Sequence, residues 1–234
     1  MTTVISKATI MRLLKDVKSL AASPLCDNGI YYIHDEDDML KGWAMIVGPE
    51  DTPYFGGFYF FEIQYPTDYP YSPPTVIYKT QGDAVRFNPN LYMNGKVCLS
   101  ILNTWKGEQW TSCQTISTVL LNLCMVLCKD PLLNEPGITT KYFEFDNYTR
   151  SIEYKNIEIA ILKMLDAPPE KFVIFRKTME EHFSKNIPKI VKMLEERKNE
   201  PPSRVVTGIY KMDVYINYEK LHATFINKIE LNNK

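Results

Sequence analysis

Between Thr80 and Gln109 the apolar residues follow neither the helical nor the strand period. A stretch this long cannot hold a shape by itself. It has to be fastened to a scaffold on both sides, and such segments inside compact domains are usually functional. The upstream scaffold is β-like. From Gly29 to Lys79 short runs rich in Tyr, Phe, Ile and Val are broken by His34-Asp35-Glu36-Asp37-Asp38, Gly48-Pro49 and Gly56-Gly57. They predict four strands, Gly29 to Ile33, Leu40 to Val47, Phe58 to Gln64 and Thr75 to Lys79, whose short connections favour an antiparallel meander. Tyr65-Pro66 to Pro73-Pro74 carries four prolines, which remove ladder donors and fix φ, so this part is expected as a rigid surface loop.

Helical spacing surrounds this region. Ile10, Leu13, Leu14, Val17, Leu20 and Ala21 recur on one face, with Arg12, Lys15 and Asp16 on the others, so the chain opens with an amphipathic helix. Downstream, Thr111-Ser112-Cys113-Gln114 fits a capping box, and Ile116, Val119, Leu120, Leu123 and Leu127 predict a buried central helix, apolar nearly all round. Tyr154, Ile157, Ala160, Ile161, Met164 and Leu165 predict another helix, stopped by Pro168-Pro169. Beyond it, Phe172, Phe175 and Met179 mark one helix, and Ile187, Ile190, Val191 and Leu194 a second. A strand-like Val205 to Ile216 and a final helix, Tyr218 to Ile229, follow. At 234 residues the chain suits one domain of ordinary size with an extension. The fold class is α/β (α+β), with a core over residues 1–168 and a helical C-terminal extension over 169–234, too apolar to be a free tail and expected to pack on the core.

Charge excludes several roles. Lys and Arg number 27 against 28 Asp and Glu, so no overall field favours nucleic acid or an anionic membrane, and partners must be read by local patches. No apolar run is long enough to span a bilayer, and no signal peptide is read. Five cysteines (Cys26, Cys98, Cys113, Cys124, Cys128) lack the dense even spacing of a disulfide framework, which points to the reducing cytoplasm or nucleus. There the sequon Asn147-Tyr148-Thr149 is chance. Cys124 and Cys128 are four apart, but none of the three histidines (His34, His182, His222) is nearby, so no metal is expected and both cysteines are read as packing groups.

The aperiodic segment contains Arg86-Phe87-Asn88-Pro89-Asn90-Leu91-Tyr92-Met93-Asn94-Gly95-Lys96-Val97-Cys98-Leu99-Ser100-Ile101-Leu102. This run resembles the active-site signature of ubiquitin-conjugating enzymes, a His-Pro-Asn triplet followed, eight positions after its Asn, by the catalytic cysteine. Pro53-Tyr54-Phe55-Gly56-Gly57 and Tyr65-Pro66 to Pro73-Pro74 look like that family's strand turn and proline loop. Trp110-Thr111-Ser112-Cys113, the buried helix and Asn134-Glu135-Pro136-Gly137 follow in its order. The resemblance spans residues 7 to 165. Asn134 to Gly137, the extra residues between Leu102 and Trp110, and the long C-terminal part are most similar to the larger, C-terminally extended members.

The resemblance implies a role for each matching residue. Cys98 carries ubiquitin or a ubiquitin-like modifier as a thioester, because a thiolate both attacks a carbonyl and leaves when an amine displaces it. Asn90 matches the amide credited with stabilising the oxyanion. The lysine acceptor has an unperturbed pKa of about 10.4, so a carboxylate helps it lose a proton. The family position falls at Asn134 and Glu135, of which only Glu135 can accept one. Asn88 stands where the family has His and, with Pro89 and Trp110, is expected to shape the site rather than react. Arg12, Lys15 and Lys18 match the helix shown to an activating enzyme. Tyr71, Ser112 and Cys113 match positions that meet ligases, although Ser112 replaces the usual proline. The implied partners are therefore the modifier, a ubiquitin-activating enzyme, a ubiquitin ligase and a protein substrate, with no cofactor. Competing with this reading is a catalytically inactive adaptor that binds ubiquitin or ligases. A thiol hydrolase would need a histidine base, and none lies between His34 and His182.

Overall fold

The computed structural model describes residues 5–232. Ser6 starts the first helix, α1 (Lys7–Ala22), by accepting from the Thr9 amide. Strands β1 (Ile30–His34), β2 (Lys41–Val47), β3 (Phe58–Gln64) and β4 (Thr75–Tyr78) form an antiparallel sheet in the order β1-β2-β3-β4, the expected meander with each end within a residue of the expectation. Register places Met45 opposite Tyr31 and Phe60, and Ile46 opposite Ile30 and Tyr59.

Strand β2 is buried at nearly every residue because both faces of the sheet are covered. On one face the Tyr59 ring meets Tyr54 and Phe87, with centroids 5.5 and 5.9 Å apart. On the other, Phe172 packs on Trp43 and Phe60 at 5.7 and 4.7 Å, and Tyr31 Oη lies 2.6 Å from His182 Nε2. The sheet is thus held between the aperiodic segment and the C-terminal part, and one hydrophobic cluster runs through both.

The central helix, α2 (Ile116–Met125), starts later than its expected cap. Thr115 caps it reciprocally with Thr118, whereas Thr111 to Gln114 closes a separate turn. It also ends before Leu127 and Cys128, and Leu121 and Met125 are exposed, so it is not buried all round. Helix α3 (Phe145–Lys155) runs into a π-helical stretch (Asn156–Lys163) and the short α4 (Met164–Asp166), beginning well before the expected Tyr154.

After Pro169 the two expected helices are one. A 3₁₀ turn (Glu170–Phe175) leads into α5 (Arg176–Arg197), which continues through Pro188 despite the missing N–H, with Met179, Phe183, Ile190 and Leu194 buried along it. The strand-like stretch is a hairpin, β5 (Ser203–Thr207) and β6 (Met212–Ile216), so this part of the chain is not helical throughout. A period-2 pattern cannot distinguish one strand from two with a short turn between them. Helix α6 (Tyr218–Asn232) closes the chain, with Phe225 against Phe183 at 5.4 Å. Among the described residues no helix is long and apolar enough to cross a membrane.

Because Phe172 is buried against one face of the sheet, over Trp43 and Phe60, Phe172→Ala should destabilise the whole fold by about 3–5 kcal/mol in guanidinium unfolding. A lightly docked appendage would instead leave the transition of the sheet unmoved.

Candidate active site

The aperiodic segment is held by hydrogen bonds, which is why it shows no apolar period. Gly95 accepts from Tyr78 N at 2.8 Å and Lys96 bridges to Ile77, so the segment lies along the free edge of β4. Gly95 has φ +91°, and a Cβ there would sit 3.1 Å from the Ile77 side chain, so glycine is required. Thr104 closes the other end: its hydroxyl donates to Val97 O at 2.8 Å and accepts from Leu99 N at 2.9 Å.

Asn88 is the internal fastening. It is fully buried, and its Nδ2 donates to Tyr54 Oη at 2.8 Å and to Val126 O at 2.7 Å. Its Oδ1 accepts from the Asn90 backbone at 2.9 Å and from Asn134 Nδ2 at 3.4 Å. Asn134 also donates to Val126 O at 3.1 Å. The Asn134 amide therefore anchors its loop to the turn of Asn88, which brings the neighbouring Glu135 to the same region.

Cys98 is tied to Asn90 twice. The Cys98 amide donates to Asn90 O at 2.9 Å, and Asn90 Nδ2 donates to Cys98 O at 2.7 Å. A side-chain amide has two N–H donors, so one remains. The Oδ1 of Asn90 is buried without a partner. Cys98 itself is only 2% exposed. Cys124 and Cys128 have their thiols pushed up by burial, which suppresses thiolate and suits packing groups. Cys128 lies past the end of the central helix on which it was expected.

Glu135 does not stand free. Its Oε2 accepts from the Tyr210 hydroxyl, which belongs to the turn between β5 and β6. The Tyr210 ring lies 4.7 Å from the Arg86 guanidinium, which also lies over the Tyr92 ring at 3.4 Å. Arg86 is buried and donates to Asn88 O at 3.1 Å and Pro89 O at 2.6 Å, so Pro89 is held through its carbonyl. Buried Glu144 accepts from Gly208 N at 2.5 Å and Ile209 N at 2.9 Å and fixes the turn. Sequence reasoning missed Arg86, Tyr92, Glu144 and Tyr210. Arg86 stood inside the recognised run, but nothing near Tyr210 in sequence marks it.

The residues expected at partner surfaces are linked through neighbouring loops. Trp110 is a packing anchor, its Nε1 donating to Pro70 O at 2.7 Å and its ring 5.9 Å from Tyr69. This joins the proline loop, where Tyr71 is 77% exposed, to the loop bearing exposed Ser112 and Cys113. Arg12 is engaged internally: it pairs with Asp16 at 2.9 Å and donates to Ser112 O at 2.6 Å and Gln114 O at 2.5 Å. Lys15 and Lys18 remain exposed on α1.

Asn88→Ala removes four hydrogen bonds from a buried network and leaves the Asn90 amide without a partner, an unsatisfied group alone costing about 1–3 kcal/mol. Urea unfolding should therefore show a loss well beyond that of a surface Asn94→Ala control, and a loss no larger than the control would remove Asn88 from the centre of the network.

The sequence pattern of the family described as ubiquitin-conjugating enzyme matches residues 12–141. Among curated proteins, "Ubiquitin-conjugating enzyme E2 Z" of Xenopus tropicalis is 40% identical over 181 residues, which cover 76% of this chain and 57% of that protein. The Homo sapiens protein of that name is 42% identical over 160 residues, 67% of this chain and 45% of its own. The Homo sapiens "Dual E2 ubiquitin-conjugating enzyme/E3 ubiquitin-protein ligase BIRC6" is 38% identical over 205 residues, 82% of this chain and 4% of that much longer protein. The chain spans about half the length of the E2 Z relatives. With the four-stranded meander, the central helix and Cys98 set beside Asn90, these matches show that the chain belongs to the ubiquitin-conjugating enzyme family.

Proposed function

We propose that this chain accepts ubiquitin, or a ubiquitin-like modifier, from an activating enzyme as a thioester on Cys98 and passes it to a lysine amine of a substrate with the help of a ligase. The observation that carries the reading is the pair of hydrogen bonds that set Cys98 against Asn90 within a buried network. In loading, the Cys98 thiolate attacks the carbonyl of the incoming thioester; a new C–S bond forms and the donor's sulfur leaves as thiolate. In transfer, the lysine nitrogen attacks the same carbonyl, charge develops on oxygen, and Cys98 leaves as the amide forms.

Asn90 has one N–H left for that oxyanion while the other braces the Cys98 backbone. Glu135 takes the role of the carboxylate that orients the amine and helps remove its proton. Asn134 holds the loop that carries Glu135 and does no proton transfer. Lys15 and Lys18 offer cations to the activating enzyme, and exposed Tyr71 with Ser112 and Cys113 offers a rigid contact patch to a ligase. The five free cysteines suit a reducing compartment, the cytoplasm or nucleus.

Incubation with activating enzyme, ATP and ubiquitin should give a thiol-sensitive conjugate that Cys98→Ala abolishes and that Cys124→Ala and Cys128→Ala retain. A folded protein that takes neither ubiquitin nor a relative would instead support an inactive adaptor. Asn90→Ala should still load, with transfer to free lysine slowed by about 10²- to 10³-fold in a single-turnover chase.

A further inference from the structure

We propose that Tyr210 is a positioning residue for Glu135, so that the hairpin of the C-terminal part completes the transfer site. This rests on the reading of Glu135 as the carboxylate that handles the lysine proton.

Two contacts of the same side chain lead there. The Tyr210 hydroxyl donates to Glu135 Oε2, and the Tyr210 ring closes one face of Arg86 at 4.7 Å. Arg86 in turn holds the carbonyls of Asn88 and Pro89, next to Asn90. One residue from a distant hairpin therefore grips both the loop that carries the carboxylate and the segment that carries the nucleophile. An ionised carboxylate has about four acceptor positions. A single phenol donor fixes its orientation and leaves places for an amine.

The turn is shaped around this side chain. Tyr210 and Lys211 have φ of +61° and +52°, the left-handed region that glycine enters freely and bulky residues avoid. A glycine at 210 would relax the backbone and lose every contact just described. The conformation is imposed from outside: Glu144 holds the amides of Gly208 and Ile209, and the edge of Tyr148 meets the Tyr210 ring at 5.8 Å. Tyr148 also donates to the backbone O of Arg86 at 2.8 Å, so the Tyr210 ring and the Arg86 main chain share one support.

The test is a single-turnover chase of the ubiquitin thioester on the full chain with increasing free lysine, comparing Tyr210→Phe, Glu135→Gln and the double variant. Phenylalanine keeps the stack on Arg86 and removes only the donor. The limiting discharge rate of Tyr210→Phe should fall about five- to tenfold, roughly one hydrogen bond's worth. The lysine concentration at half saturation should stay unchanged, and the double variant should be no slower than Glu135→Gln alone. Discharge by Tyr210→Phe as fast as the parent, or faster, with Glu135→Gln slow, overturns the positioning role and leaves the reading of Glu135 standing. Parental discharge by Glu135→Gln removes that reading and the proposal with it. Amide hydrogen exchange gives a second readout that does not depend on charging. Tyr210→Phe should speed exchange across residues 132–144 while the β1–β4 sheet keeps its protection, and unchanged exchange there overturns the clamp.

Discussion

A side-chain amide brings two donors and one acceptor oxygen, and Asn88 uses all of them inside the molecule. It ties together Tyr54 before β3, the carbonyl of Val126 past the central helix, the backbone of Asn90 and the amide of Asn134. Each partner belongs to a different part of the chain; without Asn88 the Asn90 amide would have no partner, and Tyr54, Val126 O and Asn134 would each keep only one of two bonds. A segment with no apolar period can have a single shape only if something of this kind replaces the missing hydrophobic anchor. The position is the one at which the family usually has a histidine. Asparagine meets the same need for directed hydrogen bonds with a group that carries no charge at any ordinary pH, so the fastening does not loosen as pH changes.

The network acts against a rigid backing. Both faces of the sheet are covered, one by Tyr54 and Phe87 on the side of the aperiodic segment and the other by Phe172 of the C-terminal part. Burial on both faces explains the dense run of aromatic and aliphatic residues in β2 and β3, which a sheet with one wet face would not tolerate. It also makes the C-terminal part a share of the core. The elements that follow, α5, the hairpin and α6, are positioned by that packing, and the hairpin turn reaches Glu135 as a consequence.

The charged groups near the site are arranged by contact rather than by overall field. Arg86 is buried against two tyrosine rings and satisfies backbone carbonyls, so its charge serves the loop. Arg12 does the same for the loop before α2 and is not a free docking cation. In Tyr210 the phenol is pushed up, by burial first and by the Glu135 carboxylate beside it, so it stays a proton donor throughout the working pH range. A permanent donor suits a fixed hydrogen bond.

Local pattern alone determined much of this protein. Short runs rich in Tyr, Phe, Ile and Val between turn residues place β1 to β4 to within a residue, and helical spacing marks α1, because both signals belong to the local chain. The spacing of Asn90 and Cys98 is legible for the same reason: the two bonds between them span only eight residues. What the tertiary structure decided lies at long range. Phe172 to Met179 and Ile187 to Leu194 read as two separate apolar sets, yet burial of Met179, Phe183, Ile190 and Leu194 makes one helix of Arg176–Arg197. The engagement of Arg12 spans a hundred residues and that of Glu135 with Tyr210 spans 75. No period or motif encodes such a pair, since each residue is ordinary in its own neighbourhood and only the folded core brings the two together.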